Sequence, residues 1–118
     1  MEAAAPETSA TYRRVVDSLR SNGLPLAEIG RITGVQLRQV QHWLAGTSRP
    51  TNETQSRLLD LHYIVDQLAD VYTPEGIEIW VHGRNRGLSG QRPIDLLEGG
   101  NFREVIELVE QLAHGVQD

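Results

Sequence analysis

From Tyr12 to Ala113 the apolar residues recur at three- and four-residue spacing, in short runs that end at glycine or proline. That periodicity places each run on one face of a helix and makes an all-α chain of short helices the expected fold class. Tyr12, Val15, Val16 and Leu19 form the first stripe, on a helix from Ser9 to about Asn22 that Asn22-Gly23 stops. Pro25 opens a second helix through Leu26, Ile29 and Ile32, closed by Gly34. A third runs from about Gln36 to Ala45 with Val40, Trp43 and Leu44 as its buried spacing. After the loop GTSRPTNET, Thr51 or Asn52 caps a long fourth helix carrying Leu58, Leu61, Ile64, Val65, Leu68, Val71 and Tyr72.

Thr73-Pro74-Glu75 is a restart signal: a capping hydroxyl, a proline whose missing N–H costs nothing there, and an acid at the positive helix end. The helix it opens runs to His82 and carries Ile77, Ile79, Trp80 and Val81. Within it, IEIWV is the single stretch that alternates as a strand would, and helix signals flank it on both sides. GRNRGLSGQRP, rich in glycine and arginine, should be irregular. Pro93 starts a helix of one to two turns ending at Gly99-Gly100. Asn101 with Glu104 reads as a capping pair for a last helix whose apolar face is Phe102, Val105, Ile106, Val109, Leu112 and Ala113.

These signals divide the chain into a frayed arm at 1–8, a helix-turn-helix unit at 9–57 and a small helical unit at 58–118, joined by the long helix. At 118 residues there is room for one compact domain or two very small modules sharing a core, and little for a catalytic cleft. With no cysteine, disulfides, thiolate metal sites and cysteine nucleophiles are excluded. All basic residues are arginine, which removes the lysine of phosphate loops and Schiff bases. His42, His62, His82 and His114 lack ligand-type partners at helical spacing, apart from His62 with Asp66, so neither a metal nor a cofactor is expected. No serine, histidine and carboxylate stand in a suggestive order, and the chain reads as a binding protein rather than an enzyme. It has no apolar run of the roughly 18 residues that span a bilayer and no basic-then-apolar leader, so a cytoplasmic location is the expectation.

Charge is distributed unevenly. From Thr11 to Arg57 seven arginines face three acids, a balance of +4; from Leu58 to Asp118 four arginines face eleven acids, a balance of -7. The first half could meet phosphates and the second could not. LAEIGRITGVQLRQVQHWL fits a helix-turn-helix, with small Gly30 at the crossing, Gly34 at the turn, and Val35, Val40 and Trp43 seating the second helix. Gln36, Arg38, Gln39, Gln41 and His42 point outward on that second helix, and with the loop residue Arg49 they form the candidate DNA-binding set. Such units also occur as packing modules that never meet DNA, so both readings stand.

In the second half, short helices flanking an irregular loop bury little area alone, which points to cover by another chain. The run IEIWVHGRNRGLSGQRPIDLLEGG, with a helix and the tail LAHGV after it, resembles the toxin-binding domain of Xre/ParS/MbcA-type antitoxins. The matching elements are Trp80, Asn85 to Leu88, Gly90, Arg92-Pro93 with Asp95-Leu96-Leu97, Gly99 or Gly100, and Val105 onward. The resemblance implies a RES-domain toxin as partner, an NAD⁺-consuming enzyme whose pocket the antitoxin blocks. It implies an interface shaped by Trp80, Arg84, Asn85, Arg86, Leu88, Arg92, Pro93 and Leu97. The end of the chain, Gly115, Val116, Gln117 and Asp118, would lie near the pocket entrance. Operator DNA is a further partner so implied, and the small footprint of one helix-turn-helix makes a homodimer, within a toxin–antitoxin hetero-oligomer, the expected assembly. A stand-alone helix-turn-helix regulator whose second half only dimerises is the alternative.

Overall fold

A computed structural model describes residues 4–115, with side chains from residue 9 onward. Seven helices follow one another: α1 (Ala4–Ser21), α2 (Leu26–Thr33), α3 (Leu37–Ala45), α4 (Asn52–Ala69), α5 (Pro74–His82), α6 (Pro93–Glu98) and α7 (Phe102–Ala113). A 3-10 turn (Arg86–Leu88) lies between α5 and α6. The fold is all-α, as the periodicity requires.

Most boundaries fall where the local signals put them. The Thr73 hydroxyl accepts the Gly76 N–H at 3.1 Å, with Pro74 in the first turn. Gly34 and Gly46 close α2 and α3 in left-handed conformation, at φ +84° and +80°. Gly30 is required by approach rather than by φ: a Cβ there would sit 2.8 Å from the Val35 carbonyl oxygen. That lack of a side chain lets α2 cross α3 closely.

Three local expectations change. The first helix reaches back to Ala4, so residues 4–8 belong to it and only 1–3 of the expected arm lie outside the described residues. α4 stops at Ala69, because Thr73 must adopt extended backbone ahead of Pro74; Val71 and Tyr72 therefore leave the buried stripe and stand exposed. The Asn101 side chain makes no cap bond at the start of α7. Its backbone bends away from capping geometry, and the expected pair with Glu104 does not form.

One hydrophobic core joins both halves, from Tyr12, Val16 and Leu19 on α1 through Trp43, Leu58, Leu61 and Ile64 to Leu97, Val105 and Val109. α4 is its spine, packing on α1 and α2 in one half and on α5 and α7 in the other. α2 also rests on α6, and polar contacts close the seam that α2 makes with α4, α5 and α6. Arg31 Nε donates to the Glu98 carboxylate at 3.1 Å, and Arg57 Nη1 to the Ile32 carbonyl at 3.2 Å. His82 Nε2 lies 2.8 Å from Glu28 Oε2, while Glu28 Oε1 is buried without a partner.

His82 is thus the only polar neighbour that the described side chains give a carboxylate that is 12% exposed. Replacing it with alanine leaves that buried acceptor unpaired. His82→Ala is expected to lose about 1–3 kcal/mol of stability, measured by urea unfolding, and Glu28→Leu with His82→Ala to recover part of it. An unchanged urea midpoint in His82→Ala removes the pair from the seam.

Candidate functional site

The segment between α5 and α6 is more ordered than its glycines and arginines suggest. Asn85 organises it: its Oδ1 accepts the Gly87 N–H at 2.9 Å, its carbonyl accepts the N–H groups of Leu88 and Gly90, and its own N–H donates to Gln91 O at 3.1 Å. Ser89 and Gly90 turn the chain through left-handed conformations at φ 59° and 82°. Arg84 Nη1 donates across the loop to the Gly90 carbonyl at 3.1 Å. Leu88 anchors the loop inward beside α7, where a Cβ on Gly87 would meet Leu108 Cδ1 at 2.8 Å.

The sequence-derived interface residues therefore divide. Arg86 is exposed on the 3-10 turn, and its guanidinium forms no hydrogen bond or ion pair among the described residues. Arg84 is exposed and Asn85 is half-buried, but both are spent on the loop's own bonds. Arg92 grips Asp95 through two hydrogen bonds of 2.8 Å. The hydrogen bonding holds the Asp95 carboxyl below its ordinary range and the Arg92 guanidinium above its own. Leu88, Pro93 and Leu97 are buried, Leu97 completely: Leu88 turns inward from the 3-10 turn beside α7, and α6 has so few turns that Pro93 and Leu97 are used within the fold, where α6 packs on α5 and α7. In the chain by itself they support that surface from below. Trp80 packs partly against the core. Gly115 is exposed, and Val116, Gln117 and Asp118 lie outside the described residues.

Outward on this half, beyond Leu59 and Tyr63 of α4, lies a patch the sequence reading missed. Ile79 is 73% exposed, Val71 is 47% exposed, and Tyr72 is exposed with its side chain lying over Gly76, whose Cβ would stand 3.1 Å from Tyr72 Cβ. Gly76 and Ile79 are one turn apart, so Tyr72 and Ile79 lie along one side of α5. Asp70, Glu75 and Glu78 are exposed on the same stretch of chain. The signal was present: Ile79 is two residues from Ile77 and from Val81, an offset that a helix turns to opposite faces, and Ile77 and Val81 are the buried pair.

On the other half, α3 displays the second candidate set. Gln36, Arg38, Gln39 and Arg49 line one groove of about 540 Å³ between α3 and the start of α4, together with Trp43 and Thr51. Gln39 Nε2 is engaged by Ser48 Oγ at 3.1 Å. Gln41 and His42 are exposed on α3 outside the groove, with His42 Nδ1 3.3 Å from Thr47 Oγ1. Leu37, absent from the sequence-derived set, is 43% exposed in the first turn. Among the described residues no group of histidines and carboxylates could hold a metal ion, and no helix is long and apolar enough to cross a membrane.

A helix-turn-helix fused through one core to a small helical unit with an uncovered apolar patch has the architecture of a binding module. Residues 67–115 match the model of the antitoxin Xre/MbcA/ParS C-terminal toxin-binding domain. The mycobacterial cidal antitoxin MbcA of Mycobacterium tuberculosis is 34% identical over 94 residues, covering 80% of this chain and 83% of that one. A probable mycobacterial cidal antitoxin of the same organism is 36% identical over 101 residues, 86% of each chain. The crystal structure of the M. tuberculosis MbcT–MbcA toxin–antitoxin complex contains a chain that superposes with a TM-score of 0.75 at 31% identity, over 90% of this chain and 96% of that one. The protein is an antitoxin of a toxin–antitoxin system. It belongs to the Xre/MbcA/ParS antitoxin family.

Proposed function

We propose that this antitoxin neutralises a RES-domain, NAD⁺-consuming toxin by packing its C-terminal half over the toxin and closing the NAD⁺ pocket. The observation that carries the reading is Ile79, an isoleucine 73% exposed within the segment that matches the toxin-binding domain. Covering such a side chain returns about 1.5–3 kcal/mol, and Tyr72 and Val71 extend the area available. The acids beside the patch favour a toxin surface with basic residues. Arg86, free at the loop tip, is the side chain best suited to reach an acceptor on the toxin. The last residues, from Gly115 on, lie at the pocket entrance in this reading, in a homodimeric antitoxin within a cytoplasmic hetero-oligomer. The helix-turn-helix binds operator DNA and represses the antitoxin's own operon.

The test is to express a neighbouring RES-type reading frame with and without this chain and measure cellular NAD⁺. NAD⁺ is expected to hold at the uninduced level when both are present. Equal NAD⁺ loss in both cultures would refute the proposal.

A further inference from the structure

We propose that the groove between α3 and α4 seats a backbone phosphate of duplex DNA, so that Arg38 and Arg49 position the protein rather than read bases. This rests on the reading of the helix-turn-helix as a DNA-binding unit and assigns the groove's part in it. Beside the apolar Val35 and Pro50, the lining residues bring donors: the guanidinium groups of Arg38 and Arg49, the Gln36 amide, and the hydroxyls of Thr51 and Thr54. No carboxylate lines it, and Glu53, the nearest acid in sequence, faces a separate recess with Arg57. The guanidinium groups of Arg38 and Arg49 have no hydrogen bond or ion pair among the described residues. Two unpaired guanidinium groups at one opening, with no acid to balance them, attract an anion.

Two further observations give the site depth. α4 opens onto the groove with its first-turn N–H groups unclaimed, because the Thr51 hydroxyl makes no cap bond and donates to the Thr54 hydroxyl at 3.2 Å. Independently, Trp43 in the groove wall is 1% exposed, and its indole N–H is buried with no acceptor. A buried donor without a partner behind this wall is one that a phosphate oxygen satisfies once the wall side chains part to admit it. Base reading then falls to the residues of α3 that stand clear of the groove. Gln41 offers an amide for an adenine edge, and Leu37 an apolar surface for a thymine methyl.

The experiment is fluorescence anisotropy on the full chain, between 50 and 200 mM salt, with a labelled duplex covering the region upstream of the gene and a scrambled duplex of equal length. Arg38→Gln and Arg49→Gln are each expected to weaken binding to both duplexes alike and to flatten the plot of log K against log salt by about 0.9. Arg86→Gln, on the other half, should leave that slope unchanged. In a Trp80→Phe chain, where Trp43 is the remaining tryptophan, emission should shift on adding duplex. Lost preference for the upstream duplex at unchanged slope makes the arginines base readers and overturns the proposal. So do parent-like binding by both variants and constant Trp43 emission in a chain that binds. If the parent chain binds neither duplex, the DNA reading itself fails and takes this assignment with it.

Discussion

Ile79→Asp is expected to lower affinity for the cognate toxin by at least thirtyfold while leaving the antitoxin folded. The side chain is 73% exposed on α5, so its loss removes little from the antitoxin's own core, and a surface change of this kind shifts stability by about 0.5 kcal/mol or less. At the centre of a covered apolar patch the same change strips a buried contact and puts an unpaired charge in its place, a loss of about 2–4 kcal/mol. Each 1.4 kcal/mol is a factor of ten, which sets the thirtyfold floor. Titration calorimetry and thermal unfolding on the same preparation separate the two quantities. Leu97→Ala supplies the contrast: this fully buried residue should cost about 2–5 kcal/mol of stability, so a weakened complex there reports a damaged fold. Parent-like affinity in folded Ile79→Asp removes the patch from the interface.

A fragment of residues 67–115, the span that matches the toxin-binding domain, is expected to remain unfolded in isolation. It lacks Leu58, Leu61, Ile64 and Val65 of α4, which are buried in the common core while α4 packs along α7. Four such side chains contribute on the order of 6–12 kcal/mol at about 1.5–3 each, as much as the whole stability of a typical domain. Tyr63 and Glu110, hydrogen-bonded at 2.6 Å between the same two helices, would also be separated. Far-ultraviolet circular dichroism should show little helix in the fragment and a cooperative transition in the full chain. A cooperative unfolding transition in the fragment would show that the toxin-binding half closes its own core.

The helices were legible because their causes are local. Three- and four-residue apolar spacing, Gly34 and Gly46 beyond helix ends, and the Thr73-Pro74 start are statements about neighbouring residues, and all three hold. The antitoxin family was also legible, in the ordered residues from Trp80 to Gly100. Which side chains of that run a partner can touch was not. Pro93 and Leu97 have the chemistry of interface anchors, but a helix as short as α6 buries them under α5 and α7. Arg92 resembles Arg86 in sequence, yet one is held by Asp95 and the other is free.

The sequence by itself determined the helical class, the helix-turn-helix, the uneven charge of the two halves and the family. Only the tertiary structure decided that α4 makes the halves one body, that Ile79 faces outward where Ile77 and Val81 face inward, and that four polar residues from α3 and its loop meet at one groove. The reason is physical: a helix fixes which residues share a face, but which face is covered depends on distant segments, and a side chain is free for a partner only when the rest of the fold has not already used it.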